Sequence, residues 1–310
     1  MPVGARGPYS EAGRRRVASL GDVEGSWRMR VISLLSEKGG VGKSTATVNI
    51  AVALVELGCR VLVIDLDGVA CSTMTLDGPT EWLTSIATCL SGEQEIAALI
   101  RPTHLPGLDL VPGSPGLKSL EEQWVFPARG TLAAGLAPDV LQHAIASLEG
   151  RGWDLVLIDC PGGNLVMGRL ALMASDEVIV PTGMSVFDLT GAVFTCQNIL
   201  EVQQVRGGKP ELLGFLPIGT SARGVPRRFQ DEFDRFNLPC LTPIRESKKL
   251  RSIAGNEDAR KRILVTSDPD NAASRGFRQV AREIWCGLAQ AREVEGQANQ
   301  EQEGHHEHDD

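Results

Sequence analysis

Residues 30–58 read RVISLLSEKGGVGKSTATVNIAVALVELG, and the reading of this stretch decides the fold. It opens with an apolar run from Arg30 to Ser36 that lacks polar alternation, as expected of a strand buried on both faces. A glycine-rich loop follows, then a helical stretch from Lys43 to Leu57 that Gly58 stops. Strand, glycine loop and helix in this order make a phosphate cradle. Gly39, Gly40 and Gly42, with Val41 among them, let the backbone curl so that successive N–H groups point inward. The helix N-terminus adds its partial positive charge. Lys43 is placed to neutralise β- and γ-phosphate oxygens, the Ser44 hydroxyl to ligate Mg2+, and Thr45 to donate to an α-phosphate. ATP and Mg2+ are the expected ligands.

Outward from this loop, short apolar runs alternate with helical stretches. Strands are expected at 30–36, 60–65, 108–112, 154–159, 177–181, 213–218 and 239–242, and helices at 43–57, 140–148, 165–173, 189–204, 226–236 and 271–291. Such alternation predicts one α/β domain with a doubly wound, mostly parallel sheet flanked by helices. Two strands end in acids, where ligands of open α/β sheets bind. RVLVID runs into DLDGVACS, which carries Asp65 and Asp67. WDLVLIDCPGG leads apolar residues to Asp159, the Walker B pattern, which would hold the water shell of Mg2+.

Composition bounds the rest. The seven cysteines form no C-x-x-C pair, which fits a reducing compartment and neither a disulfide framework nor a zinc site. No apolar run approaches the length of a membrane span, so a cytoplasmic protein without membrane contact is expected. Residues 1–28, rich in Gly and Arg, read as a flexible basic arm in which Arg14, Arg15 and Arg16 could touch phosphates; 29–293 form the ATPase domain; 294–310 read as a disordered acidic tail ending HHEHDD. The net charge of −8 is unevenly spread. From Arg206 to Arg262, thirteen Lys and Arg face seven Asp and Glu, so a basic surface is compatible with the acidic total.

The loop carries a second lysine, Lys38, at its start, and Glu37 stands where the common G-x-x-x-x-G-K pattern has glycine. In this signature-lysine form the sequence resembles the ParA/MinD family of deviant Walker A P-loop ATPases, and GLDLVPGSPGL, LALMASDEVIVPT and PIRESKKL resemble further segments of ParA proteins. The resemblance implies that Lys38 reaches across an ATP-dependent sandwich homodimer to the other copy's phosphates, that Asp67 orients the attacking water, and that Asp65 supports Mg2+ through its hydration shell. Together with Lys43, these make Lys38 and Asp67 the candidate catalytic residues and Ser44, Asp65 and Asp159 the candidate metal residues. Two departures bear on hydrolysis: Gly68 and Val69 stand where the family has Pro and Gln, and Gly162 where it commonly has a second proline, so a looser turn after Asp159 is expected.

The branches of the family imply different functions. MinD-like members have glycine at the Glu37 position and end in a basic amphipathic helix, whereas this end is acidic. Nitrogenase iron-protein-like members need two cluster-holding cysteines; Cys160 stands near one such position, and no second cysteine has glycine-rich surroundings. The partition branch tolerates a polar residue before the first lysine and fits best. It implies non-specific DNA binding by phosphate contacts, for which Arg223, Arg227, Arg228, Arg245, Lys248, Lys249 and Arg251 are the candidates, and release by a ParB-like centromere-bound partner that stimulates a weak intrinsic ATPase. The alternative function is positioning of a protein complex (secretion, conjugation or polar assembly) without DNA; an iron–sulfur reductase subunit ranks last.

Overall fold

The computed structural model describes residues 28–306 apart from 79–83, 126–136, 164 and 254–257. Eight strands form one sheet: β1 (Arg30–Leu34), β2 (Val61–Asp65), β3 (Arg101–Pro102), β4 (Leu108–Val111), β5 (Leu155–Asp159), β6 (Glu177–Thr182), β7 (Glu211–Thr220) and β8 (Ile244–Arg245). Their order is β3-β4-β2-β5-β1-β6-β7-β8, parallel throughout except for β3 against β4. Helices α1 (Lys43–Glu56), α2 (Cys71–Leu76), α3 (Ile86–Leu90), α4 (Gly116–Val125), α5 (Val140–Ala146), α6 (Leu165–Ala174), α7 (Val186–Val205), α8 (Arg227–Arg235), α9 (Lys248–Ser252), α10 (Leu264–Ser267) and α11 (Ala272–His306) complete the described elements, with short 3-10 turns at Ile96–Leu99 and Ala259–Arg262.

Burial on both faces explains the missing alternation. On β2, Leu62 and Ile64 pack with Val156, Ile158, Leu141, Leu170 and Ile199 on one side of the sheet. Val61 and Val63 pack with Leu155, Leu157, Ile50, Phe277 and Ile284 on the other. Every residue of β2 and β5 is buried, so no position in them selects a polar side chain until the strands end.

One expected strand is revised. Residues 239–242 do not form a strand; only Cys240 bridges to Phe215, and β8 forms later, at Ile244. Pro239 and Pro243 have no N–H to give a ladder, and Glu283 takes both the backbone N–H and the hydroxyl of Thr242. The edge strand β3, two residues with a proline, was too short to carry a periodic signal. The backbone of α11 continues as far as His306, through the stretch expected as a disordered tail. Ala, Glu and Gln there are good helix formers, and residues 307–310 lie outside the described part. The basic arm also lies outside it, except that Arg28 pairs with Asp176 at 3.0 Å. No helix among the described residues is long and apolar enough to cross a membrane.

Candidate functional site

Strand register builds the acidic half of the site. In the β2–β5 ladder Asp65 pairs with Asp159, and in the β1–β5 ladder Leu34 pairs with Asp159. The last residues of three neighbouring parallel strands thus come level, and the chain leaving β1 brings Lys43 and Ser44 to the Asp159 carboxyl. The turn needs its glycines: Gly40 has φ 74° and Gly42, the residue before α1, has φ 93°, a region that costs an L side chain about 1–2 kcal/mol. Behind it Ile218 of β7 stands 3.3 Å from where a Gly42 Cβ would be.

A cleft of about 580 Å3 opens over this loop, lined there by Gly39, Gly40, Gly42, Lys43, Ser44 and Thr45. Val41, buried, anchors the turn. Lys43 is buried and donates to the Lys38 carbonyl at 3.0 Å, which holds its ammonium under the loop. Burial lowers the Lys43 pKa, and the nearby Asp159 opposes that shift. An anion seated in the loop would act in the same direction as Asp159. Asp159 is fully buried and accepts from Ser72 Oγ at 2.7 Å and Thr47 Oγ1 at 3.4 Å; burial raises its pKa, and bonds from Ser72 and Ser44 oppose the rise. Ser44 therefore faces the cleft with an acid directly behind it, a donor set that fits a hydrated Mg2+.

The two other acids divide their work. Asp65 Oδ2 accepts from Thr73 N and Thr73 Oγ1, both at 2.8 Å, and Oδ1 from Asp67 N at 3.0 Å. It is fully buried, as Asp159 is, and these bonds tie β2 to α2. Burial, and then repulsion from Asp159, push its pKa up. Asp67 does line the cleft, with one oxygen, Oδ1, accepting from Val69 N at 2.9 Å.

Both lysine-loop novelties have partners on α7. Lys38 leaves the cleft and pairs with Asp188, which also closes a capping box with Ser185 at the start of α7. Glu37 Oε1 accepts from Asn198 Nδ2 at 2.7 Å, and its N–H donates to Thr195 Oγ1 at 3.1 Å. The looseness expected at Gly162 is not found: a Cβ there would lie 2.8 Å from Gly39 Cα and 2.9 Å from Lys43 Nζ, so this turn is pressed against the loop. Cys160 is fully buried, as a thiol inside the core is expected to be.

The basic candidates gather at the same end of the sheet. Arg245 pairs in register with Thr220, the last residue of β7, and Arg223 follows in the next loop. Lys248, Lys249 and Arg251 lie on α9, and Arg227 and Arg228 at the start of α8. Arg227 pairs with Asp231 (3.9 Å), Lys249 with Asp268 (3.0 Å) and Arg251 with Glu246 (3.3 Å). Arg228 donates to the Met184 carbonyl at 3.2 Å. Arg223, Arg245 and Lys248 have no carboxylate partner among the described residues.

Sequence reading passed over several residues that complete the cleft: Val48, Asn49, Met74, Thr75, Ile253 and Arg262. The last two come from a segment about 200 residues beyond the loop, with no motif to announce them.

The AAA-domain family model matches residues 29–211 of this chain. The chain belongs to this family of ParA-like P-loop ATPases. The family assignment agrees with the signature lysine and with the strand order. The chain is 34% identical over 181 residues to the chromosome partitioning protein ParA of Caulobacter vibrioides, a match that covers 58% of this chain and 64% of that protein. It is similar to the solved structure of cobyrinic acid a,c-diamide synthase from Mycobacterium smegmatis with bound ADP and magnesium (TM-score 0.65, 29% identity, covering 82% of this chain and 93% of that one). It is also similar to the septum site-determining protein MinD of Pyrococcus horikoshii complexed with Mg-ADP (TM-score 0.64, 26% identity, covering 83% and 96%).

Proposed function

We propose that this chain is an ATP-dependent partition ATPase. Mg-ATP occupies the cleft with its phosphates on Gly39 to Thr45, Ser44 and Asp159 hold the metal and its water shell with support from Asp65, and Asp67 orients the attacking water. Two copies close on ATP with Lys38 of each reaching the other's phosphates. The dimer holds DNA through its backbone, and a ParB-like partner bound at a centromere stimulates hydrolysis and releases it. Nucleoid association in the cytoplasm follows from that cycle.

The observation that carries this reading is that the two lysines of one loop point different ways. Lys43 is buried beneath the cleft, while Lys38 stands outside it, its side chain 39% exposed and paired with Asp188. A cation in that position is unused by its own site and accessible to a second copy. Relatives and neighbours named for partitioning or septum placement, some solved with Mg-ADP, support the same reading.

Co-sedimentation with DNA in ATP, ADP or no nucleotide, at two salt concentrations, tests it. ATP-specific, salt-sensitive binding is expected, and absent with Lys43→Ala. ATP-dependent DNA binding that survives Lys43→Ala would overturn the account.

One observation favours the second reading, positioning of a protein assembly without DNA. Phe187 and Phe194 on α7 are 79% and 55% exposed, with Leu200 at 57%, and exposed phenylalanines suit a protein contact better than a phosphate one. No DNA co-sedimentation at low salt, with ATP-dependent dimerisation intact, would select it.

A further inference from the structure

We infer that residues 17–27 of this chain's own N-terminal arm dock on the exposed apolar face of α7, so that a single copy covers that face itself. Of the seven large apolar side chains exposed among the described residues, five lie on α7: Phe187, Val193, Phe194, Leu200 and Val205. At about 100° per residue they fall on one side of the helix, opposite Ala192, Thr195, Ile199 and Val202, which are buried. A continuous apolar face of this kind marks a contact surface. The inference goes beyond the protein-contact reading above: the arm is the occupant in a single copy, and another protein would have to displace it.

The course of the chain identifies the occupant. Arg28, the first described residue, pairs with Asp176 at 3.0 Å. Arg206, directly after α7, donates to the carbonyls of Leu172 and Ser175, next to the same Asp176, and lies close enough to Asp176 and Arg28 for both charges to act on it. The arm therefore leaves the fold at the C-terminal end of α7, beside Val205. With 20 residues, α7 is about 30 Å long. Residues 17–27, extended, reach about 36 Å, enough to run its whole length. They carry Val17, Leu20, Val23 and Trp27 at steps of three and four, the apolar partners the face lacks, with Arg14, Arg15 and Arg16 beyond them. The other side of α7 holds Lys38 through Asp188 and Glu37 through Asn198, so the docked arm rests on the helix that steadies both loop residues.

The test replaces Leu20 of the full chain with the photo-crosslinker p-benzoylphenylalanine and irradiates it without nucleotide, so the outcome does not depend on the ATPase reading. Cross-links are sized on a denaturing gel and mapped by mass spectrometry. Links from position 20 to α7 within one chain are expected. Links to α7 that join two chains would give the face to a second copy, and links elsewhere, or none, would leave it uncovered by the arm; each of these overturns the inference. Phe194→Asp, on the exposed side of α7, is expected to cut the link several-fold. Val17→Asp, in the arm, is expected to do the same and to raise the fluorescence of ANS, a dye that binds exposed apolar surface, several-fold. If circular dichroism shows that Phe194→Asp disturbs the fold, Val17→Asp decides: an undiminished link with unchanged dye fluorescence would sink the assignment.

Discussion

The ammonium of Lys38 is clasped by the carboxylate of Asp188, 150 residues further along the chain and part of the capping box that starts α7. The lysine expected to serve a second copy is thus already engaged in its own. In the proposed ATP-bound dimer, closure would exchange this ion pair for phosphate oxygens. Asp188→Asn keeps a side-chain oxygen for the cap and removes the charge. It is expected to lower the ATP concentration needed for half-maximal dimerisation by several-fold, measured by light scattering; an unchanged or higher midpoint would mean that the clasp does not compete with dimerisation.

The same pair predicts an acid-dependent term in stability. Burial alone pushes the Asp188 carboxyl up, but the bonds from Lys38 and Ser185 outweigh it and leave the pKa below the ordinary value. Because the folded value is the lower one, the pair's contribution is complete above the unfolded carboxylate range, about pH 4, and is lost as pH falls through the folded value. Urea titrations between about pH 3 and about pH 6 should show a flatter acid limb for Asp188→Asn than for the unsubstituted chain.

Asp65 and Asp67 should separate cleanly on substitution. Asp65→Ala removes a buried acceptor of three bonds and leaves Thr73 and Asp67 donors unpaired, at a cost of about 2–4 kcal/mol. Asp67→Ala should change stability by less than about 1 kcal/mol while abolishing ATP turnover, since Asp67 lines the cleft. Denaturant midpoints and phosphate release on both variants measure the contrast, and a reversed pattern would show that the two roles are wrongly divided.

Ala70 begins α2 with φ 55°, left-handed backbone in a fully buried alanine two residues after Gly68. Ala70→Gly relieves about 1–2 kcal/mol of strain and gives back about 0.4–1 kcal/mol through the freer unfolded chain. A net gain of about 0.5 kcal/mol, read as a small rise in denaturant midpoint, is expected.

Gly162→Ala should act on binding more than on folding. The added methyl would strike Gly39 Cα and Lys43 Nζ, both parts of the phosphate loop, while the turn itself is exposed. Roughly tenfold weaker ADP binding is expected, with a stability loss of only about 1 kcal/mol. Full ADP affinity in this variant would mean that the loop can move away freely.

Which parts of this protein are legible in its sequence follows from how local each signal is. Strand, glycine turn and helix at 30–58 are contiguous, and the backbone there is restricted by residues a few positions apart, so the phosphate loop and the α/β class could be read directly. Apolar runs ending in Asp65 and Asp159 were legible for the same reason, whereas the hydroxyls that bond each acid were not. The bonds of Thr73 turn Asp65 inward, and those bonds exist only once α2 folds against the tip of β2.

What the sequence determined by itself is therefore the cradle, the sheet that presents it and the pair of lysines in its loop. Tertiary structure decided where each charged group points: Lys38 toward Asp188, Glu37 toward Asn198, Asp65 into the core and Arg262 into the cleft. These partners lie far apart along the chain, and only the packing of both helical layers on the sheet brings them within hydrogen-bonding range, where distances of a few ångströms set the strength of each interaction.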